Sequence, residues 1–281
     1  MSKRVAPLVV LSWLIVLALL VAAVCSPQVA PHNPVRERLI DRLLPPAWGK
    51  DGEWRYLLGT DHLGRDVVSR IIYGSRVSLV VGFAAVAVGG SLGIVLGVMA
   101  GYVGGRLDEG IMALADIQLA FPTILLAITV IAVLGPSFTN LVLIIGLSGW
   151  VTYARIARAQ MLSLREKEFV EASRAQGSDP LRTVCRHILP NMLSPLIVVA
   201  TLDLARTIIL ESTLSFLGLG MQPPTPSWGG MLSDGREYLL TAWWIATFPG
   251  LALMLTALSF NRLGDWARDL TDPRLGRTEL R

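Results

Sequence analysis

"FVEASRAQGSDPLRTVCRHILPN", residues 169–191, is charged, small and polar, yet it lies between two strongly apolar runs. It carries its own punctuation. Arg165 to Gln176 holds good helix formers and no breaker, and Gly177 then supplies a C-terminal stop. Asp179 followed by Pro180 is an N-cap and first-position pair, so a second short helix starts there. Pro190 marks the passage into the next apolar run. The stretch predicts a helix–turn–helix hairpin inserted between two spans. Phe169, Ala172, Ser173 and Gln176 fall on one face of its first helix. One bulky apolar residue among small ones suits a shallow groove on another protein. The plainer reading is a solvated loop with capped helices.

What flanks the hairpin sets the class. The chain has 281 residues, 53% hydrophobic and 16% charged, whereas soluble domains carry about 25% charged residues. Six candidate helices emerge, at about 6–26, 77–102, 110–134, 138–157, 193–219 and 241–261. Each is long enough to cross a hydrocarbon core about 30 Å thick. Backbone groups in lipid must be satisfied within the segment, so the expected fold is an all-α integral membrane protein with six transmembrane helices. Residues 1–76 would form a first span plus an outer segment. Residues 77–262 would form a five-helix core carrying the hairpin at 158–190, and 263–281 a cytoplasmic tail. Lys3-Arg4 and the apolar stretch from Val5 to Val24 resemble a signal peptide. The apolar part exceeds a usual h-region and Val24 is not a lipoprotein cleavage residue, so an uncleaved first span is expected. Cys25 and Cys185 sit at different depths in this scheme and do not pair.

Basic residues orient the spans. Lys3 and Arg4, Arg106, the insert's Arg155, Arg158, Arg165, Lys167, Arg174, Arg182 and Arg186, and the tail's Arg262, Arg268, Arg274, Arg277 and Arg281 all fall on one side of the six-span scheme. Both termini and the hairpin are then cytoplasmic. Arg65, Arg70 and Arg76 oppose this, but in a long loop that also carries acids. The net charge of +4 reads as basic cytoplasmic ends rather than nucleic-acid binding.

Other residues add detail. Gly89, Gly93, Gly97 and Gly101 share one face of the second span, suited to close helix approach within the chain, against a partner or along a pathway. Phe121-Pro122 predicts a kink in the third span. "MQPPTPSWGG", 221–230, reads as an outer loop, and Trp228, Trp243 and Trp244 suit the outer interface. Thr60 and Asp61 are cap candidates for a short interfacial helix leading into the second span. Asp61, His62 and Asp66 make a weak metal set. Polar residues inside spans are functional candidates: Asp116 and Gln118 in the third, and Asp203, Arg206 and Glu211 in the fifth. Asp203 and Arg206 can pair along one helix face as a structural ion pair, or line a cavity that a zwitterionic substrate enters. Glu211 has no opposite charge near it along its helix and suits a contact across helices.

The sequence has no G-x-x-x-x-G-K-[ST] motif, no CxxC and no HExxH, and its three histidines, His32, His62 and His187, are scattered. No catalytic, cofactor or metal residues are expected, and any ATP must be handled by a partner.

Glu171-Ala172-Ser173, then Gly177, then Leu189-Pro190, resembles the "EAA…G…LP" cytoplasmic motif of ABC-importer permease subunits, with Ser173 in place of the usual Ala and His187 in place of Ile. "LGTDHLGRDVVSRIIYGSRVSL", 58–79, "LSFLGLGMQPPTPSWGGML", 214–232, and "NRLGDWARDLTDPRL", 261–275, are similar to signatures of the dipeptide/oligopeptide branch. The resemblance covers nearly the whole chain from about residue 55. It implies a type I importer permease fold like that of the methionine permease subunit, in a bacterial inner membrane. The implied partners are a homologous permease, two cytoplasmic ATPase subunits that bind ATP and Mg, and an extracytoplasmic substrate-binding protein. The hairpin would be the coupling helix, with Phe169, Glu171, Ala172, Ser173, Gly177, Leu189 and Pro190 at the ATPase interface. Peptides are the implied cargo, with nickel complexes or glutathione as alternatives in the same branch. An ion-coupled secondary transporter using Glu211 or Asp203, or a scaffold whose hairpin only recruits a partner, are the readings from other classes; no pseudo-repeat supports the former.

Overall fold

The computed structural model describes residues 7–271. Lys3, Arg4, Arg274, Arg277 and Arg281, on which part of the charge argument rests, lie outside them, as does the side chain of Arg174. The helices are α1 (Pro7–Val24), α2 (Ser26–Val29), α3 (Val67–Val103), α4 (Gly105–Ala120), α5 (Thr123–Leu134), α6 (Phe138–Leu164), α7 (Glu168–Ala175), α8 (Pro180–Thr183), α9 (Leu189–Phe216), α10 (Trp228–Gly235) and α11 (Trp244–Thr271). Among the described residues there is no strand. Five helices are long and apolar enough to cross a membrane, or six if the bent pair α4–α5 counts as one span. Five of the apolar runs expected from sequence therefore become single helices with changed ends, and the third, 110–134, falls on the two helices α4 and α5.

The seam between α3 and α6 organises the bundle. A Cβ on Gly89 would meet the Gly146 carbonyl, one on Gly93 the Trp150 carbonyl, one on Gly97 the Ala154 carbonyl and one on Gly101 the Met161 side chain. Partners advance in step along both helices, so α3 and α6 run parallel with their backbones almost touching. Of the roles open to the glycine face, close packing inside the chain is the one it fulfils. On α3's other side, Gly82 abuts Ile208 of α9. The first helix closes the bundle: Val9, Val16 and Ala23 pack with Ala257, Phe260 and Leu263 of α11. Trp13 meets Trp266 edge-on at 6.2 Å. The opposite side of α1, with Leu8, Leu11, Leu14 and Leu17 exposed, suits acyl chains.

Several boundaries differ from the sequence reading. The interfacial helix expected before the second span is continuous with it: α3 runs unbroken from Val67, capped by Asp66, whose Oδ2 accepts from the Ser69 amide at 3.0 Å. Thr60 and Asp61 are therefore not its caps. The kink at Phe121-Pro122 is a bend of 87° between α4 and α5. Proline lacks the amide donor and forces the preceding residue out of the helical region, and Phe121 is extended at ψ 132°. "MQPPTPSWGG" is loop only to Ser227, because Trp228 opens α10. Trp228 and Trp244 do not present their rings at the protein surface. Both are buried, donating Nε1–H to the Ile71 and Thr60 carbonyls, each at 3.0 Å, while Trp243 remains exposed. The last helix extends to Thr271, so the described part of the expected tail is helix.

At the end of the bundle where α3 and α11 begin, residues 25–66 fold over the helices through a compact ion-pair network. Asp61 is buried and accepts from Arg65 Nε at 2.6 Å, from the Arg65 amide at 2.9 Å and from Arg70. Both guanidiniums also reach Asp234 on α10, at 3.3 and 3.1 Å. Burial alone would push the Asp61 carboxyl up, but the Arg70 and Arg65 charges and the hydrogen bonds outweigh it and hold the group below the usual carboxylate range.

Candidate functional site

The hairpin forms at the opposite end, where α6 ends and α9 begins. Its first helix, α7, spans Glu168–Ala175, shorter than the sequence suggests. Gly177 stops it with φ +75°, and the Ser178 amide bonds the Ser173 carbonyl at 3.2 Å across the turn. Asp179 caps α8, its carboxylate accepting from the Leu181 amide at 3.1 Å and the Arg182 amide at 3.4 Å. The second arm is not a separate helix. A π turn, Val184–Ile188, carries α8 directly into α9, so that residues from Pro180 to Phe216 form one 37-residue rod. Pro190 follows directly on the π turn, where the widened backbone accommodates a residue that lacks an amide donor.

The two faces of α7 have separate work. Val170 is fully buried with Met161 of α6 and with Ile188, Met192 and Leu196 at the head of the rod. Ser173 is buried too, its hydroxyl 3.3 Å from that of Thr183. That corrects its expected place: Ser173 belongs to the inner face with Val170, not to the outer one. The outward face carries Phe169, 42% exposed, with Glu171, Ala172, Gln176 and Gly177. Of these, Glu171, Ala172, Gln176 and Gly177 are exposed as well. Pro190 is exposed and Leu189 half-buried. His187 is half-buried in the π turn, and its carbonyl accepts from the Asn191 side chain at 2.6 Å. The result is an open apolar-and-acidic surface mounted on a spanning helix. Val170 and Thr183 carried no signal in the sequence, because their roles depend on how α7 folds back on α6 and on the second arm of the hairpin.

The intramembrane polar residues divide between structural and open roles. Glu211 is fully buried and makes the contact across helices: Ser78 of α3 donates to it at 3.0 Å, Ser215 at 2.7 Å and Ser212 at 3.3 Å. Asp203 and Arg206 form no direct ion pair with each other. Asp203 instead accepts from the Tyr153 hydroxyl of α6 at 3.1 Å, and Arg206 is exposed. An i, i+3 spacing permits a pair but does not require one when a neighbouring helix offers a donor. Asp116 takes the Arg155 guanidinium at 2.5 Å, and Gln118 bridges α4 to α6 through the Leu147 and Ser148 carbonyls and Trp150 Nε1. Near the network at the far end, Asp61, His62 and Asp234 bring ligand-type atoms within 4.8 Å of one another. Both carboxylates there already neutralise Arg65 and Arg70, and His62 stacks on Tyr238 at 5.7 Å. The weak set of Asp61, His62 and Asp66 thus gives way to an ion-pair cluster.

Residues 93–277, which hold the glycine seam's greater part and the whole hairpin, match the family model described as the binding-protein-dependent transport system inner membrane component. The chain belongs to this family. Among relatives of this permease, the di/tripeptide transport system permease protein DppC of Pseudomonas aeruginosa is 43% identical over 93% of this chain and 86% of its own. The dipeptide transport system permease protein DppC of Haemophilus influenzae is 42% identical over 95% and 90%. The probable D,D-dipeptide transport system permease protein DdpC of Escherichia coli is 42% identical over 96% and 89%. Two inward-facing structures of the MetNI methionine ABC transporter share the fold. Their TM-scores are 0.53 and 0.54 at 19% and 21% identity, covering 72% and 73% of this chain and 94% and 96% of theirs. The permease is thus a multi-pass inner-membrane transport component with a type I importer fold.

Proposed function

We propose that this permease moves di- or oligopeptides, delivered by an extracytoplasmic binding protein, through a path shared with a homologous permease and driven by ATP hydrolysis on two cytoplasmic ATPase subunits. The observation that carries the reading is the mounting of the hairpin. Val170 and Ser173 fix α7 to the bundle, while Phe169, Glu171 and Gly177 remain open on its outward side. A stiff element with one anchored and one open face transmits a displacement, whereas a disordered loop absorbs it. The helical continuation of α8 into α9 delivers that displacement to the helix bearing Asp203, Arg206 and Glu211. In this reading the hairpin and both termini are cytoplasmic, and this chain binds no nucleotide or metal.

Peptide cargo follows from the names of the relatives, all of them di- or tripeptide permeases at above 40% identity. The experiment is uptake of a labelled dipeptide by vesicles holding this chain, the partner permease, both ATPases and the binding protein. Uptake is expected only with ATP and the ATPase subunits. Transport driven by a proton gradient without ATPase would overturn the importer reading in favour of a secondary transporter. Uptake of a nickel complex or glutathione in place of dipeptide would reassign the cargo and leave the machinery intact.

A further inference from the structure

One face of α6 turns polar at mid-helix. Ser148 is half-buried and Thr152 and Arg155 are exposed, following one another at four- and three-residue steps down that face. The exposed Ala159, a further four residues on, continues the strip with a small side chain. Helix α4 flanks this strip with Asp116 and Gln118. On the other flank, Asp203 of α9 lies against the bare surface of Gly149, where an added Cβ would sit 3.7 Å from Oδ2. These groups occupy segments of spanning length and apolarity. Acyl chains cannot solvate them, so the face meets water or protein.

The charges on and around this face are not equivalent. Asp116 and Arg155 neutralise each other, and Glu211 is enclosed by its serines. Asp203 has one oxygen on Tyr153 and no ion pair among the described residues, and Arg206, a turn further on, is exposed and likewise without an ion pair there. We propose that this face is one wall of the peptide path. Asp203 and Arg206 are its charge-reading pair, meeting the α-ammonium and the α-carboxylate of a zwitterionic peptide. Residues three apart on a helix place their Cβ atoms about 5–6 Å apart. The arginine stem lengthens that reach toward the end-to-end span of a short extended peptide, at about 3.3–3.6 Å per residue. The inference rests on the importer reading above.

The test uses the complete transporter in vesicles. In a Cys25→Ser, Cys185→Ser background, Thr152→Cys on the strip and Leu17→Cys on the outer side of α1 are exposed to a water-soluble cationic thiosulfonate, and modification is read by mass spectrometry. Thr152→Cys is expected to react at least about tenfold faster than Leu17→Cys, the difference between aqueous and acyl surroundings, and to be slowed by dialanine during ATP turnover. Equal, slow reaction at both positions would mean that lipid or the partner permease seals the face, and would overturn the proposal. Asp203→Asn and Arg206→Gln should each lower dialanine uptake by about tenfold or more, as for loss of a charged hydrogen-bonding partner, with ATPase activity retained. Asp203→Glu should recover part of the loss. Normal uptake in both variants would also overturn it. Wild-type uptake in the same vesicles is scored separately, so that failure of ATP dependence sinks the importer reading rather than this one.

Discussion

Asp61 shows how a buried charge is made tolerable residue by residue. Its folded carboxyl titrates below its unfolded value, so its stabilising contribution is complete above the unfolded value and is lost as pH falls through the lower folded one. The melting temperature of the purified permease should therefore hold on acidification to about pH 4, the ordinary range of an aspartate, and drop below it. Arg70→Gln removes the stronger of the two compensating charges and leaves Arg65 alone to offset burial, so the Asp61 carboxyl moves up from its native position. Its melting curve should be lower throughout and begin to fall at higher pH, with a loss of about 1–3 kcal/mol because Asp61 keeps its Arg65 partner. Identical pH profiles for both proteins would show that Asp61 does not carry this dependence. Glu211 makes a second case at this scale: Glu211→Ala leaves hydroxyls of Ser78 and Ser215 without their acceptor. A loss of at least about 1–3 kcal/mol is expected, whereas Glu211→Gln should keep most of the stability.

Among the elements, the α3–α6 seam and the hairpin answer to different constraints. On the seam there is no room: a Cβ on Gly93 would run into the Trp150 carbonyl oxygen, well inside van der Waals contact. Gly93→Val should abolish or severely lower thermal stability, beyond the about 1–3 kcal/mol of ordinary overpacking, because backbone cannot yield as a side chain can. Gly110 on α4 has nothing within 4 Å. Gly110→Ala should be neutral, or stabilise by about 0.4–1 kcal/mol through reduced unfolded-state entropy. Thermal shift on the two variants separates these outcomes. On the hairpin the constraint is conformational. Gly177 has open space around it but a positive φ, so Gly177→Arg costs about 1–2 kcal/mol of left-handed strain at the turn rather than a clash. It and Glu171→Lys are expected to abolish uptake while the spans remain inserted. Normal uptake in either would argue against α7 as the coupling element.

At the scale of the whole molecule, the alternating helix directions gather residues 25–66 and α10 at one end and the hairpin at the other. Cys185 on the hairpin is exposed, as is Trp54 in the segment at the far end. In right-side-out membrane vesicles a membrane-impermeant maleimide should label Trp54→Cys but leave Cys185 unlabelled until the vesicles are opened. The reverse pattern would invert the topology and remove the hairpin from the ATPase side. The broad apolar surface on α4 and α5, with Leu114, Ile117, Phe121, Ile124 and Leu125 exposed, is consistent with lipid or a second permease beside it.

The sequence by itself determined the class, the apolar runs that become helices, the turn at Gly177, the cap at Asp179 and the existence of a polar insert. These depend on composition and on residues a few positions apart, and the physics of lipid and of helix ends acts over that range. It also marked Glu211 for a contact across helices, because a carboxylate without a neighbour on its own helix must find one elsewhere. Only the tertiary structure decided which contact, since Ser78 lies 133 residues away along the chain. The same distance problem hid Asp234 from Arg65 and Arg70 and hid the Ile71 and Thr60 carbonyls that draw Trp228 and Trp244 inward. It also let Tyr153 take the place beside Asp203 that Arg206 could have filled. Local patterns state what a side chain needs; packing of the helices settles which distant group supplies it.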